Sequence, residues 1–85
     1  MEEEIGRITH YFSKIGVGVI EIDKGSLKLG DTIHIQGYTT DFYQKISSLQ
    51  MEHKSAEKVS AGEAAGMKVD YDVRENDIVF LVTEI

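Results

Sequence analysis

His10, His34 and His53, five aspartates near turns and the pair Ser47-Ser48 are the residues of this 85-residue chain with chemistry to offer. A nucleophilic serine needs a base held beside it, and Ser47-Ser48 has no obvious histidine partner. A metal site needs three or four converging ligands. The histidines are scattered, with no His-x-x-x-His spacing, and cysteine is absent, which removes disulfides, thiolate chemistry and the usual structural zinc. Asp23, Asp31, Asp70, Asp72 and Asp77 fall where carboxylates cap backbone amides, and they lack the spacing of a calcium loop. No Gly-rich run ending in Lys-Ser or Lys-Thr is present to cradle phosphates, and Gly16-Val17-Gly18 leads into a strand instead of a helix. The chain is expected to be non-catalytic, with no cofactor, metal or nucleotide. An enzyme would require titratable groups brought together only in space.

Binding is the better-supported chemistry. Lys14, Lys24, Lys28, Lys45 and Arg74 fall in loops or on outward faces, and Tyr11, Tyr38 and Tyr43 add aromatic surface. Basic residues interleaved with aromatics are how small β-barrels hold single strands. The net charge of −6 argues against indiscriminate nucleic-acid binding and leaves room for a local basic patch.

The elements that position these residues are read from turns and alternation. In Leu27-Lys28-Leu29-Gly30-Asp31-Thr32-Ile33, Gly30-Asp31 is turn chemistry, and Ile33 and Ile35 then alternate with Thr32, His34 and Gln36 as in a half-buried strand. Val73-Arg74-Glu75-Asn76-Asp77-Ile78-Val79 echoes the same unit. A first strand is expected from Ile5 to Phe12, with His10 on the apolar face beside Ile8 and Phe12 and therefore a core or seam histidine. His34 and His53 read as surface residues. A second strand runs from Val17 to Ile22, where Gly18 implies a bulge or a close backbone. The segment from Phe42 to Glu52 changes phase, so a bulge is expected near Ser47-Ser48. Residues 52–65 read as a loop with at most one helical turn, and short strands follow at Gly66–Val69 and Ile78–Val82. The count is six strands, mostly antiparallel, in a single domain over residues 1–85, with the acidic start at residues 1–4 as a solvated tail. The apolar run Ile78–Val82 is buried on both faces or lies at a seam, where edge-to-edge pairing is expected. No signal peptide or membrane span is legible, so a cytoplasmic protein is expected.

Gly25-x-Leu27-Lys28-x-Gly30-Asp31, then Ile46-x-Ser48-Leu49-Gln50-Met51-x-His53, then Ala61-Gly62-Glu63-x-x-Gly66 resemble domain 2 of the translational GTPases, the elongation factor Tu type. The resemblance covers Ile5 to Val82 and implies an all-β, six-stranded Greek-key barrel. It does not bring the GTPase domain. The positions that hold the aminoacyl end of tRNA in that family fall on Ser47, Gln50 and Ala64, which differ from the family's acidic, basic and amide residues. The implied function is a stand-alone binding module that contacts RNA, the ribosome or a translation factor through one rim, with Lys14, Lys45, Ser47 and Gln50 as the interaction surface. The alternative is a protein–protein interaction module, similar to the accessory barrels attached to collagenase-like peptidases, with no nucleic-acid role.

Overall fold

One turn is used three times to launch a strand. In each, the third residue is left-handed (Gly30, φ 91°; Gly62, φ 88°; Asn76, φ 76°) and an acid follows. That acid accepts a hydrogen bond from the backbone amide three residues earlier. Lys28 N donates to Asp31 at 3.0 Å, Ser60 N to Glu63 at 2.8 Å and Arg74 N to Asp77 at 2.8 Å. The carboxylate thus satisfies a donor that the chain reversal would otherwise orphan. The expected pair of turns is present, and residues 60–63 supply a third with glutamate in place of aspartate.

A computed structural model of the chain describes residues 1–83 and is all-β, with no helix among them. The strands are β1 Glu2–Phe12, β2 Val17–Ile22, β3 Ser26–Lys28, β4 Thr32–Gln36, β5 Asp41–Lys45, β6 Gln50–Met51, β7 Lys54–Ser55, β8 Lys58–Ser60, β9 Ala64–Lys68 and β10 Ile78–Val82. Eight form one antiparallel sheet in the order β5-β4-β10-β1-β2-β9-β6-β7, and β3 pairs with β8. The expected six-stranded closed Greek-key barrel is therefore corrected to open antiparallel sheets, with β5 and β7 as edges. The sheet curls without a closing ladder. Where β5 ends, the buried Gln44 side chain reaches across, donating to Lys68 O at 2.9 Å and accepting from Asp70 N at 2.8 Å. A side-chain amide can bridge strands whose backbones stand too far apart to pair.

The core is aliphatic: Ile5, Ile8, Ile20, Ile22, Leu27, Ile33, Ile35, Leu49, Met67, Val59 and Val79 are fully buried. β1 wraps it by means of two register shifts, one between Glu4 and Gly6 against β10 and one between Ile8 and His10 against β2. At the first, a side chain on Gly6 would put its Cβ 2.1 Å from Glu21 O, so only glycine lets β1 pair with β2 and β10 together.

Several expectations change. Glu2–Glu4, expected as a tail, are strand residues paired with Phe80–Val82. The shift at Thr9 turns His10 outward, while His34 is 7% exposed, so the expected core and surface histidines exchange places. Gly18 sits at no bulge and faces the Val73 and Val69 side chains, not another backbone. The phase change falls near Ser47-Ser48, but the expected bulge is a strand break over residues 46–49, with the buried Ile46 and Leu49 at its two ends. Ile78–Val82 lies between β1 and β4 as an interior strand, so it offers no edge for pairing.

Candidate functional site

The second shift in β1 also builds a surface. Because His10 and Phe12 point outward, cross-strand neighbours form two rows on the outer face of β1, β2 and β9. One reads His10–Val19–Gly66–Gln50 and the other Phe12–Val17–Lys68. Gly66 contributes no side chain to its row, and a Cβ there would already approach Val17 Cγ1 at 3.2 Å. The gap is the floor of a groove of about 340 Å³, walled by Phe12, Ile15, Val17 and Val19 and rimmed by Gln50, Glu52 and His53. Phe12 and Ile15 are 47% and 60% exposed, and with Val17 and Val19 they form a contiguous apolar patch.

The walls are held in place. The imidazole of His10 packs on Phe12 with ring centroids 4.4 Å apart. At the β1–β2 hairpin tip, Ile15 N donates to Phe12 O, and the Lys68 ammonium donates to Ile15 O at 3.3 Å. On the far rim, Glu52 and His53 form a two-residue β6–β7 turn, both with positive φ (51° and 65°). A groove of this kind can hold an apolar side chain between fixed walls while polar groups bond at its rim.

A second, more polar cleft of about 380 Å³ lies between the β4–β5 turn and the segment before β10, lined by Thr39, Thr40, Asp41, Phe42, Tyr71 and Asp72. Tyr71 stands edge-on to Phe42 at 5.0 Å. Tyr11 donates to Asp72 at 2.7 Å, and that bond, with some desolvation, raises the phenol pKa. Among the described residues, no three His, Cys, Asp or Glu side chains converge to hold a metal ion.

The four residues singled out from sequence do not form one patch. Gln50 lines the groove, and Lys14 lies on the hairpin that carries Ile15. Lys45 ends β5 opposite Thr32, and Ser47 is exposed in the break that follows. The residues that sequence reading missed are Phe12, Ile15 and Gly66. Phe12 was hidden by the bulge that reverses its face. An isoleucine inside a hairpin loop was a legible signal, since burial is not available there.

No family model matches the chain. It is 42% identical over 82 residues to an uncharacterised protease of Methanocaldococcus jannaschii, a match that covers 95% of this chain and 20% of the protease. It is 35% identical over 77 residues to a Porphyromonas gingivalis collagenase, covering 89% of this chain and 21% of the collagenase. The chain thus spans about a fifth of the curated relatives it matches. The fold superposes on the C-terminal domain of a Geobacillus thermoleovorans U32 peptidase with a TM-score of 0.87 and 15% identity, over 95% of this chain and 93% of that one. Similarity to a chloroplast elongation factor Tu of Coleochaete orbicularis is more partial, at 31% over 65 residues and 76% of the chain. The translation-factor assignment is thereby corrected, and the RNA-binding expectation built on it falls as well. The chain is similar to the peptidase-associated domains.

Proposed function

We propose that the chain is a non-catalytic accessory domain of a collagenase-like peptidase, and that the groove floored by Gly66 docks the peptidase body itself. The groove carries this reading: an exposed, walled apolar concavity with a polar rim is the anatomy of a protein interface. The length relation supports the occupant, because about four-fifths of each curated relative lies outside the matched segment, and that remainder is the surface available to cover the groove. Phe12 and Ile15 are the anchors. Gln50 and His53 bond at the rim, and Lys14 sits on the hairpin alongside.

The test is calorimetric titration of the purified chain with the Methanocaldococcus protease truncated to remove its own matching segment. Saturable binding is expected, weakened about tenfold or more by Ile15→Asp, with thermal unfolding of the variant unchanged. Equal binding by Ile15→Asp and the parent chain, or no binding by either, overturns the proposal.

A further inference from the structure

Residues 2–4 of β1 are held on one side only. They pair with Phe80–Val82 of β10, whereas pairing with β2 begins at Gly6. A three-residue edge whose side chains are exposed has little apolar burial to keep it closed. Beyond the ladder, Met1 and Thr83 exchange hydrogen bonds at the very end of the strand, and the side-chain anchor is Glu2, which reaches over the outer face of the sheet. Glu2 Oε1 lies 2.6 Å from His34 Nδ1, and Tyr43 Oη donates to Glu2 Oε2 at 2.5 Å. The other imidazole nitrogen, Nε2, lies 2.5 Å from Asp41 Oδ1. The ring itself stacks on Tyr43 at 4.1 Å and tilts against Phe80 at 5.7 Å.

We propose that the Glu2–His34–Asp41–Tyr43 cluster is a pH-sensitive clasp that keeps the first residues of β1 on β10 and releases them when it opens. The stereochemistry requires a charged ring. A carboxylate can only accept, so an imidazole set between two carboxylates must donate from both nitrogens, which only the imidazolium does. The groups facing it are few. β5 presents Asp41 and Tyr43, with Lys45 one row further along; β1 presents Glu2, with Glu4 beyond Phe80; β10 presents only apolar side chains.

The shifts agree with the geometry. Burial pulls the His34 pKa down, but the bonds to Asp41 and Glu2 outweigh it and the net value is raised. The bonds from Tyr43 and His34 lower that of Glu2. A raised imidazole pKa gives a contribution fully present below the ordinary histidine value and lost as pH rises through the raised one. A depressed carboxylate pKa gives one lost only as pH falls through the depressed value. The clasp is closed on the plateau between them and opens at alkaline pH.

Amide hydrogen exchange, corrected for intrinsic rates, tests this in the intact chain. Going from about pH 6 to about pH 9.5 is expected to cut protection of Glu2–Glu4 and Phe80–Val82 about tenfold relative to β2 and β9. His34→Gln is expected to show the low protection at both pH values. Identical protection at those residues in parent and variant overturns the clasp. Should the variant not fold, the His34 ring resonances of the parent decide: an imidazolium with a midpoint above the ordinary value supports it, and one at or below that value overturns it.

Discussion

The outer side of the sheet carries two faces, one over β10, β4 and β5 and one over β1, β2 and β9, that handle exposed apolar surface in opposite ways. Over β10, β4 and β5, the outward residues Ile78, Phe80 and Val82 lie among charged and aromatic partners, with Glu2, His34, Asp41 and Tyr43 bonded across the top. Over β1, β2 and β9, the outward Phe12, Val17 and Val19 face a glycine and stay open. The same strand β1 serves both: its first residues supply a lid to one face, and its last residue, Phe12, with His10 packed on it, supplies a wall of the other. The switch is made by the two register shifts between. A surface that the chain closes for itself is structural, and one that it leaves open is available to a partner.

Disturbing the shared strand should have the largest effect. Gly6→Ala forces a Cβ into Glu21 O and is expected to cost about 3 kcal/mol or more, damaging both faces, as read by urea unfolding. His34→Gln should disturb one face only. It leaves two carboxylates without their shared donor and is expected to cost about 1–2 kcal/mol near neutral pH. It should also flatten the alkaline fall of the melting temperature, because the lost group is the one whose raised pKa links stability to pH. Gly66→Leu should fill the groove with a small stability change and weaken docking about tenfold. The smallest effect is a gain. Replacing Glu52-His53 by Asn-Gly suits a turn with two positive φ values and is expected to stabilise by about 0.5–1 kcal/mol in thermal melts.

What the sequence disclosed followed from local chemistry. The turn at Gly30-Asp31 and its echo at Asn76-Asp77 place β4 and β10 at their observed positions, since an acid capping a left-handed turn is legible within five residues. The break at residues 46–49 was legible as a parity conflict between Ile46 and Leu49. What failed depended on distant partners. His34 alternates as a surface residue would, and it is buried by Tyr43 and Phe80 on the neighbouring strands, with Glu2, thirty-two positions away, bonded over it. His10 and Phe12 were placed inward because nothing near Thr9 announces the extra residue that flips them. The barrel count failed because Gln44, not a ladder, draws β5 towards the end of β9. The groove was invisible for the same reason: Gly66 matters only beside Val17 and Val19, which lie on another strand.

The most direct test maps contact onto the two faces. Amide and methyl resonances of the labelled chain are followed while the truncated Methanocaldococcus protease is added. Perturbation centred on Ile15, Val17, Val19 and Gly66, with His34 and Tyr43 unmoved, is the predicted result. Perturbation centred on His34, Tyr43 and Lys45 instead, or on neither face, would contradict the account.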